Sequence, residues 1–251
     1  MTETIEAPAA LRQINHWIGG AAVAGASGRK GPVFNPAAGR QTGEVDFATV
    51  EDVDAAVQAA LAAFATWREF SLAKRAELFF RIRELVHERR EELARILTSE
   101  HGKVLSDALG EVTRGLEVIE YCCGLPSLLK SEYSEQASTG IDVYSIRQPL
   151  GVCAVISPFN FPIMVPLWFV PVAIACGNAV VVKPSEKDPT ASTILAEIFI
   201  EPDDPGPPGR VDRSQRQNER SRENTSGHQR GPNESPRQTS PSTRENRACR
   251  H

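Results

Sequence analysis

Two short stretches in the second half of the chain, residues 152–156 and 179–182, are apolar at every position. Unbroken runs of this length fit strands covered on both faces, as in a parallel sheet, better than the alternation of a half-solvated strand. Between them, residues 163–176 are apolar all round and end in Gly177-Asn178, a helix C-cap signature. Pro166 and Pro171 lie inside that stretch, and it is too short to cross a bilayer, so the pattern predicts a kinked, buried helix. Strand, helix and strand predict a right-handed βαβ crossover and hence an α/β fold.

The first 150 residues show other periods. Residues 15–18 and 21–23 flank Gly19-Gly20 and predict a small hairpin, and Asn35-Pro36-Ala37-Ala38-Gly39 reads as a turn. Helical spacing follows. Thr49 caps a helix carrying Val53, Val57, Leu61 and Phe64 on one face. Ser71 opens a second, with Leu78, Ile82 and Leu85. Leu93, Ile96 and Leu97 continue the pattern to His101-Gly102, and a further helix runs from about Ser106 through Val112, Leu116 and Ile119 to Gly124. The charges on these helices are intermixed and read as solvated faces. His87 and His101 read as surface residues. Residues 141–148 predict a strand before Pro149.

Composition changes the picture mainly at the end. The 251 residues carry a formal net charge of −4, and 41% are hydrophobic, enough for one sizeable domain or two small ones. No apolar run reaches membrane length, and the acidic start, without a basic and apolar leader, predicts a cytoplasmic protein. The five cysteines form no C-x-x-C pair and the histidines no H-E-x-x-H, so no metal site is expected. Cys122-Cys123, Cys153 and Cys176 read as small buried hydrophobes rather than redox or nucleophilic thiols. From residue 201 onward, only Val211, Ala248 and Cys249 are aliphatic, aromatic or sulfur-bearing, which predicts disorder over 201–251. That stretch holds ten Arg against eight acids, a net of +2, whereas residues 1–200 have a net charge of −6. With acids interspersed and no aromatic residue, this is weak support for a nucleic-acid partner.

The chemistry is expected at the carboxyl ends of the two apolar strands, where open α/β sheets bind ligands. The glycine-rich phosphate fingerprint is absent from the first turn. In its place stands Ser157-Pro158-Phe159-Asn160-Phe161-Pro162, which offers one side-chain amide, Asn160, between two prolines. An amide N–H fixed there suits an oxyanion. The competing reading makes Asn160 the cap of the following helix, with Pro162 near its first turn. After the second strand, Lys183 can donate to ribose hydroxyls or phosphate. Glu186 can accept from a ribose 2′-OH, favouring NAD over its 2′-phosphorylated form; a solvated Lys/Glu pair is the plainer alternative.

Pro158-Phe159-Asn160-Phe161-Pro162, followed by Gly-Asn-Ala-Val-Val-Val-Lys-Pro-Ser-Glu at 177–186, resembles the aldehyde dehydrogenase superfamily. Residues 120–152 and 158–189 narrow this to its CoA-acylating, methylmalonate-semialdehyde branch. The resemblance runs from about residue 14 to about residue 199. It implies a partial fold of that family. Residues 1–135 would be the helical part of the cofactor domain, 136–150 a strand of the oligomerisation arm, and 151–200 the first βαβ of the Rossmann-type NAD sheet. It implies Asn160 as the side-chain half of an oxyanion hole, and Ser157 and Phe159 lining the cofactor groove. Lys183 and Glu186 would hold the adenosine ribose, with Lys187 at its edge. The implied reaction is oxidation of malonate or methylmalonate semialdehyde by NAD, through a cysteine thioester resolved by CoA, in a homo-oligomer. The family's nucleophilic cysteine has no counterpart here, so this chain alone is expected to be inactive, and the change at residue 200 reads as a shifted frame or a diverged fragment. Two other readings remain open: a non-catalytic fragment binding full-length subunits or nucleic acid through its basic tail, and a semialdehyde dehydrogenase that does not use CoA.

Overall fold

The computed structural model describes residues 10–200; the disorder expected for 201–251 lies outside them. Five short strands open the chain: β1 (Arg12–Ile14), β2 (His16–Ile18), β3 (Ala21–Val23), β4 (Lys30–Asn35) and β5 (Arg40–Asp46). β2 and β3 form the predicted hairpin, and Gly19 and Gly20, at φ 61° and 84°, supply the two left-handed residues its tight turn requires. β1, β5 and β4 make a three-stranded sheet in that order, with β1 parallel and β4 antiparallel to β5. The Asn35 Oδ1 accepts from the N–H groups of Ala37 and Ala38, closing the β4–β5 turn.

Helices α1 (Val50–Trp67), α2 (Leu72–Glu88), α3 (Arg90–His101), α4 (Leu105–Cys123) and α5 (Leu125–Leu128) follow. α1 begins in a capping box: Thr49 Oγ1 accepts from Asp52 N at 3.1 Å, and Asp52 returns the bond to Thr49 N at 2.9 Å. Strands β6 (Tyr133–Ser138) and β7 (Ile141–Tyr144) pair as an antiparallel hairpin exposed at every position. Then come β8 (Val152–Ile156), α6 (Met164–Ala175), β9 (Ala179–Lys183) and α7 (Thr190–Ile200).

β8 and β9 are parallel, with Val152 opposite Ala179 and Ile156 opposite Lys183, and α6 crosses between them. α6 closes in a Schellman cap. Gly177, at φ 94°, donates its N–H to Ile174 O at 2.8 Å, and Asn178 N donates to Ala173 O at 3.0 Å. The buried Asn178 side chain then ties this end together: its Oδ1 accepts from Leu150 N and Gly151 N while its Nδ2 donates to Ala173 O.

One core unites α2, α3, α4, α6 and α7 around Phe79, Ile82, Leu97, Ile119, Leu167 and Ile198. Cys122 belongs to it, as expected of a small hydrophobe. α4 and α6 approach closely at Gly115, where a Cβ would stand 2.4 Å from the Leu167 Cδ1.

Several expectations need correction. β8 and β9 are not covered on both faces: Val155 alone among their residues is buried, and Ile156 is 78% exposed, since among the described residues the two strands pair only with each other. α6 is not buried all round; Trp168 and Phe169 stand exposed. The apolar face of α1 is half open, with Val53 and Leu61 exposed where the two-stranded ribbon is too narrow to cover the helix. The strand expected over 141–148 stops at Tyr144 and pairs with β6, whose polar sequence gave no signal. α7 went unrecognised. The helices' charges are not uniformly solvated either, since Arg75, Glu100 and Glu111 are buried.

Candidate functional site

Because β8 and β9 run parallel in register, their carboxyl ends open side by side. Ser157 N donates to Lys183 O at 3.1 Å, carrying the ladder one residue past the strand. The Ser157 hydroxyl is buried and has no partner among the described residues. Beyond it the chain turns outward, leaving Phe159 and Asn160 exposed. At the end of β9, Lys183 Nζ lies 3.4 Å from Glu186 Oε2, with both side chains more than half exposed. The Glu186 carboxyl is held below its usual range, first by its own backbone N–H and then by Lys183 and Lys187. Lys187 Nζ sits 4.4 Å from the centroid of the Phe159 ring, joining the two loops.

Asn160 is not the cap of α6. That helix has Ile163 at its N-cap position and no local side-chain cap. Its first N–H groups are taken by Glu111 of α4, whose Oε1 accepts from Ile163 N at 2.8 Å and Met164 N at 3.1 Å. The other carboxylate oxygen pairs with Lys103, which also donates to Asn160 O at 3.1 Å and lies 4.8 Å from the Phe161 ring. The Asn160 amide keeps no hydrogen-bond partner among the described residues. Lys103 and Glu111 were not singled out from the sequence, where Glu111 read as a member of a solvated helical face and Lys103 fell between two expected helices. The one available hint is that Lys103 follows Gly102, the left-handed C-cap of α3, and so starts a new direction of chain.

A groove of about 510 Å³ opens beside the strand ends, between Phe34 and Phe47 on one side and Glu186, Lys187 and Asp188 on the other. It shares Phe159, Glu186 and Lys187 with the expected site but does not reach Ser157, Asn160 or Lys183. Asp188, 2% exposed, has its carboxyl pushed up to about 6, chiefly by burial. The thiols are poorly suited to nucleophilic attack. Burial pushes Cys122 up to about 12 and raises Cys123 and Cys176. Among the described residues no group of three or more His, Cys, Asp or Glu could hold a metal, and no helix is long and apolar enough to cross a membrane.

The aldehyde dehydrogenase family pattern matches residues 23–209. The chain belongs to the aldehyde dehydrogenase family. Within this family it is 45% identical over 188 residues to the malonate-semialdehyde dehydrogenase of Pseudomonas aeruginosa, covering 75% of this chain and 38% of that protein. It is 46% identical over 189 residues to the acylating methylmalonate-semialdehyde dehydrogenase of Arabidopsis thaliana, covering 75% of this chain and 31% of that one. A crystal structure from Sinorhizobium meliloti 1021, described as a methylmalonate-semialdehyde dehydrogenase complexed with NAD, superposes with a TM-score of 0.76 at 47% identity. It covers 77% of this chain and 40% of that one. The chain thus spans less than half the length of the aldehyde dehydrogenases it matches, and its fold is a partial aldehyde dehydrogenase fold.

Proposed function

We propose that this chain carries part of the NAD cradle and the side-chain oxyanion donor of a CoA-acylating malonate- or methylmalonate-semialdehyde dehydrogenase. The observation that carries the reading is the side-by-side opening of two parallel strand ends, one presenting Lys183 and Glu186 and the other Ser157, Phe159 and Asn160. These residues fit a dinucleotide. Lys183 donates to a ribose hydroxyl, and the ionised Glu186 accepts from the 2′-OH, disfavouring a 2′-phosphate. Lys187 closes the edge over Phe159, and the unpartnered Ser157 hydroxyl adds a polar wall. Bound NAD supplies the hydride acceptor for the aldehyde carbon. Asn160, whose amide is unspent, donates to the oxygen on which negative charge develops.

The described thiols are buried or half-buried, and none takes the role of nucleophile. With no nucleophile among the described residues, the reading is that the 251-residue chain by itself forms no NADH. CoA is the co-substrate of the complete reaction, and the exposed β6–β7 hairpin is the element through which subunits of the family fold associate.

Calorimetric titration tests the cradle. NAD is expected to bind the 251-residue chain, with Lys183→Ala weakening it about tenfold, the worth of roughly one net hydrogen bond to a charged group. Glu186→Gln is expected to narrow the preference for NAD over NADP. Absence of NAD binding, or an unchanged affinity in Lys183→Ala, overturns the reading. Separately, malonate semialdehyde with CoA and NAD should yield NADH no faster than with Asn160→Ala; faster production would disprove the inactivity.

A further inference from the structure

We propose that Lys103 and Glu111 are positioning residues that clasp the 158–162 turn and fix the backbone from which Asn160 projects. This rests on the reading of Asn160 as the oxyanion donor. Glu111 is 3% exposed and lies on α4, while the turn lies about fifty residues further along the chain. A carboxylate buried so deeply is costly unless every lone pair is met. Here one oxygen takes the Ile163 and Met164 N–H groups at the start of α6, where the helix dipole also favours a negative charge. The other takes the Lys103 ammonium.

Lys103 divides its donors in turn. It bonds Glu111, donates to Asn160 O, and rests against the Phe161 ring. Residues 160, 161, 163 and 164 are therefore all fastened to one ion pair. Asn160 is held by its backbone carbonyl while its side-chain amide is left unpartnered. A group that must meet charge developing on a reacting oxygen needs that combination of a fixed root and a free head. A cap for α6 would require Glu111 alone. Lys103 reaching past it to Asn160 is the part that capping leaves unexplained.

The test reads the Asn160 side-chain amide in the ligand-free 251-residue chain by ¹H–¹⁵N NMR, assigned through its disappearance in Asn160→Ala. The double variant Lys103→Met/Glu111→Gln removes both charges of the pair together and keeps a carbonyl oxygen toward α6. We expect the single Asn160 pair to shift or split into several, while the Trp67 indole N–H, which donates to Ile174 O and reports the seating of α6, stays in place. Lys103→Arg should restore one pair. An unmoved Asn160 signal overturns the proposal. So does a joint shift of the Asn160 and Trp67 signals, or failure of the double variant to fold, since either makes the pair a support for α6 as a whole. No nucleotide is present in this measurement, so it can fail while NAD binding survives, and the reverse.

Discussion

The bundle of α2, α3, α4, α6 and α7 and the β8–β9 ribbon are both built from apolar segments, yet they end in different surroundings. In the bundle, Phe79, Ile82, Leu93, Leu97 and Ile119 are fully buried. In the ribbon, Ile156 stands in solvent and most of its neighbours are half-covered. Helices pack through stripes that meet partners close in sequence, as α2, α3 and α4 do here. A strand in a parallel sheet depends on neighbours brought from far along the chain. An apolar run therefore states what a segment needs to bury, not whether its partner lies within reach.

Substitution can break this contrast. Phe79→Ala should cost about 3–5 kcal/mol, whereas Ile156→Ala should cost less than about 0.5 kcal/mol; urea midpoints of the two variants check this, and equal losses would mean the ribbon is as closed as the bundle. Gly177→Ala comes next, at the joint between them. It forces a Cβ into a left-handed residue and to within 2.6 Å of the buried Arg75 guanidinium, for an expected loss of about 2–3 kcal/mol, read as a fall in melting temperature.

Asp188 tests the seam by pH. Its carboxyl is raised from the ordinary 3.8 to about 6, burial leading, with Glu100 and Glu111 adding and the Ser185 hydroxyl opposing. The folded chain thus holds this proton more tightly than the unfolded chain. Stability falls as pH rises from about 4 to about 6, and the loss is complete above that range. Asp188→Asn should flatten that slope and stabilise the chain at pH 7.5 by about 2 kcal/mol; a less stable variant at pH 7.5 would refute the assignment. The smallest effect is expected at Gly115. There Gly115→Ala gains up to about 1 kcal/mol in helix propensity but overpacks Leu167 by about 1–3 kcal/mol. The net loss of about 1 kcal/mol is measurable by chemical unfolding.

What was legible in the sequence was local. Gly19-Gly20, the Thr49 cap and Gly177-Asn178 each specify a turn or cap within a few residues, and each forms as expected; the return bond from Asp52 was not foreseen. The βαβ unit followed from two unbroken apolar runs. The polar β6 strand carries no such period, because neither of its faces is buried. Lys183 and Glu186 could be named together because they are three residues apart at one strand end. Lys103 and Glu111 could not be linked to Asn160, since their partners there lie about fifty residues away, Glu111 looks like any charge of a solvated helix, and Lys103 falls in a short connection. The cap of α6 was assigned to Asn160 as one alternative for the same reason: the true acceptor of its first N–H groups, Glu111, is remote.

Gly115 lies four residues after Glu111, on the same side of α4. With only a hydrogen atom facing the Leu167 side chain there, α6 can settle near enough for a carboxylate one turn away to grasp its leading amides. The spacing of the whole turn is thereby set by an atom that is missing, and widening the gap by a single methyl would be felt at Asn160 without touching it.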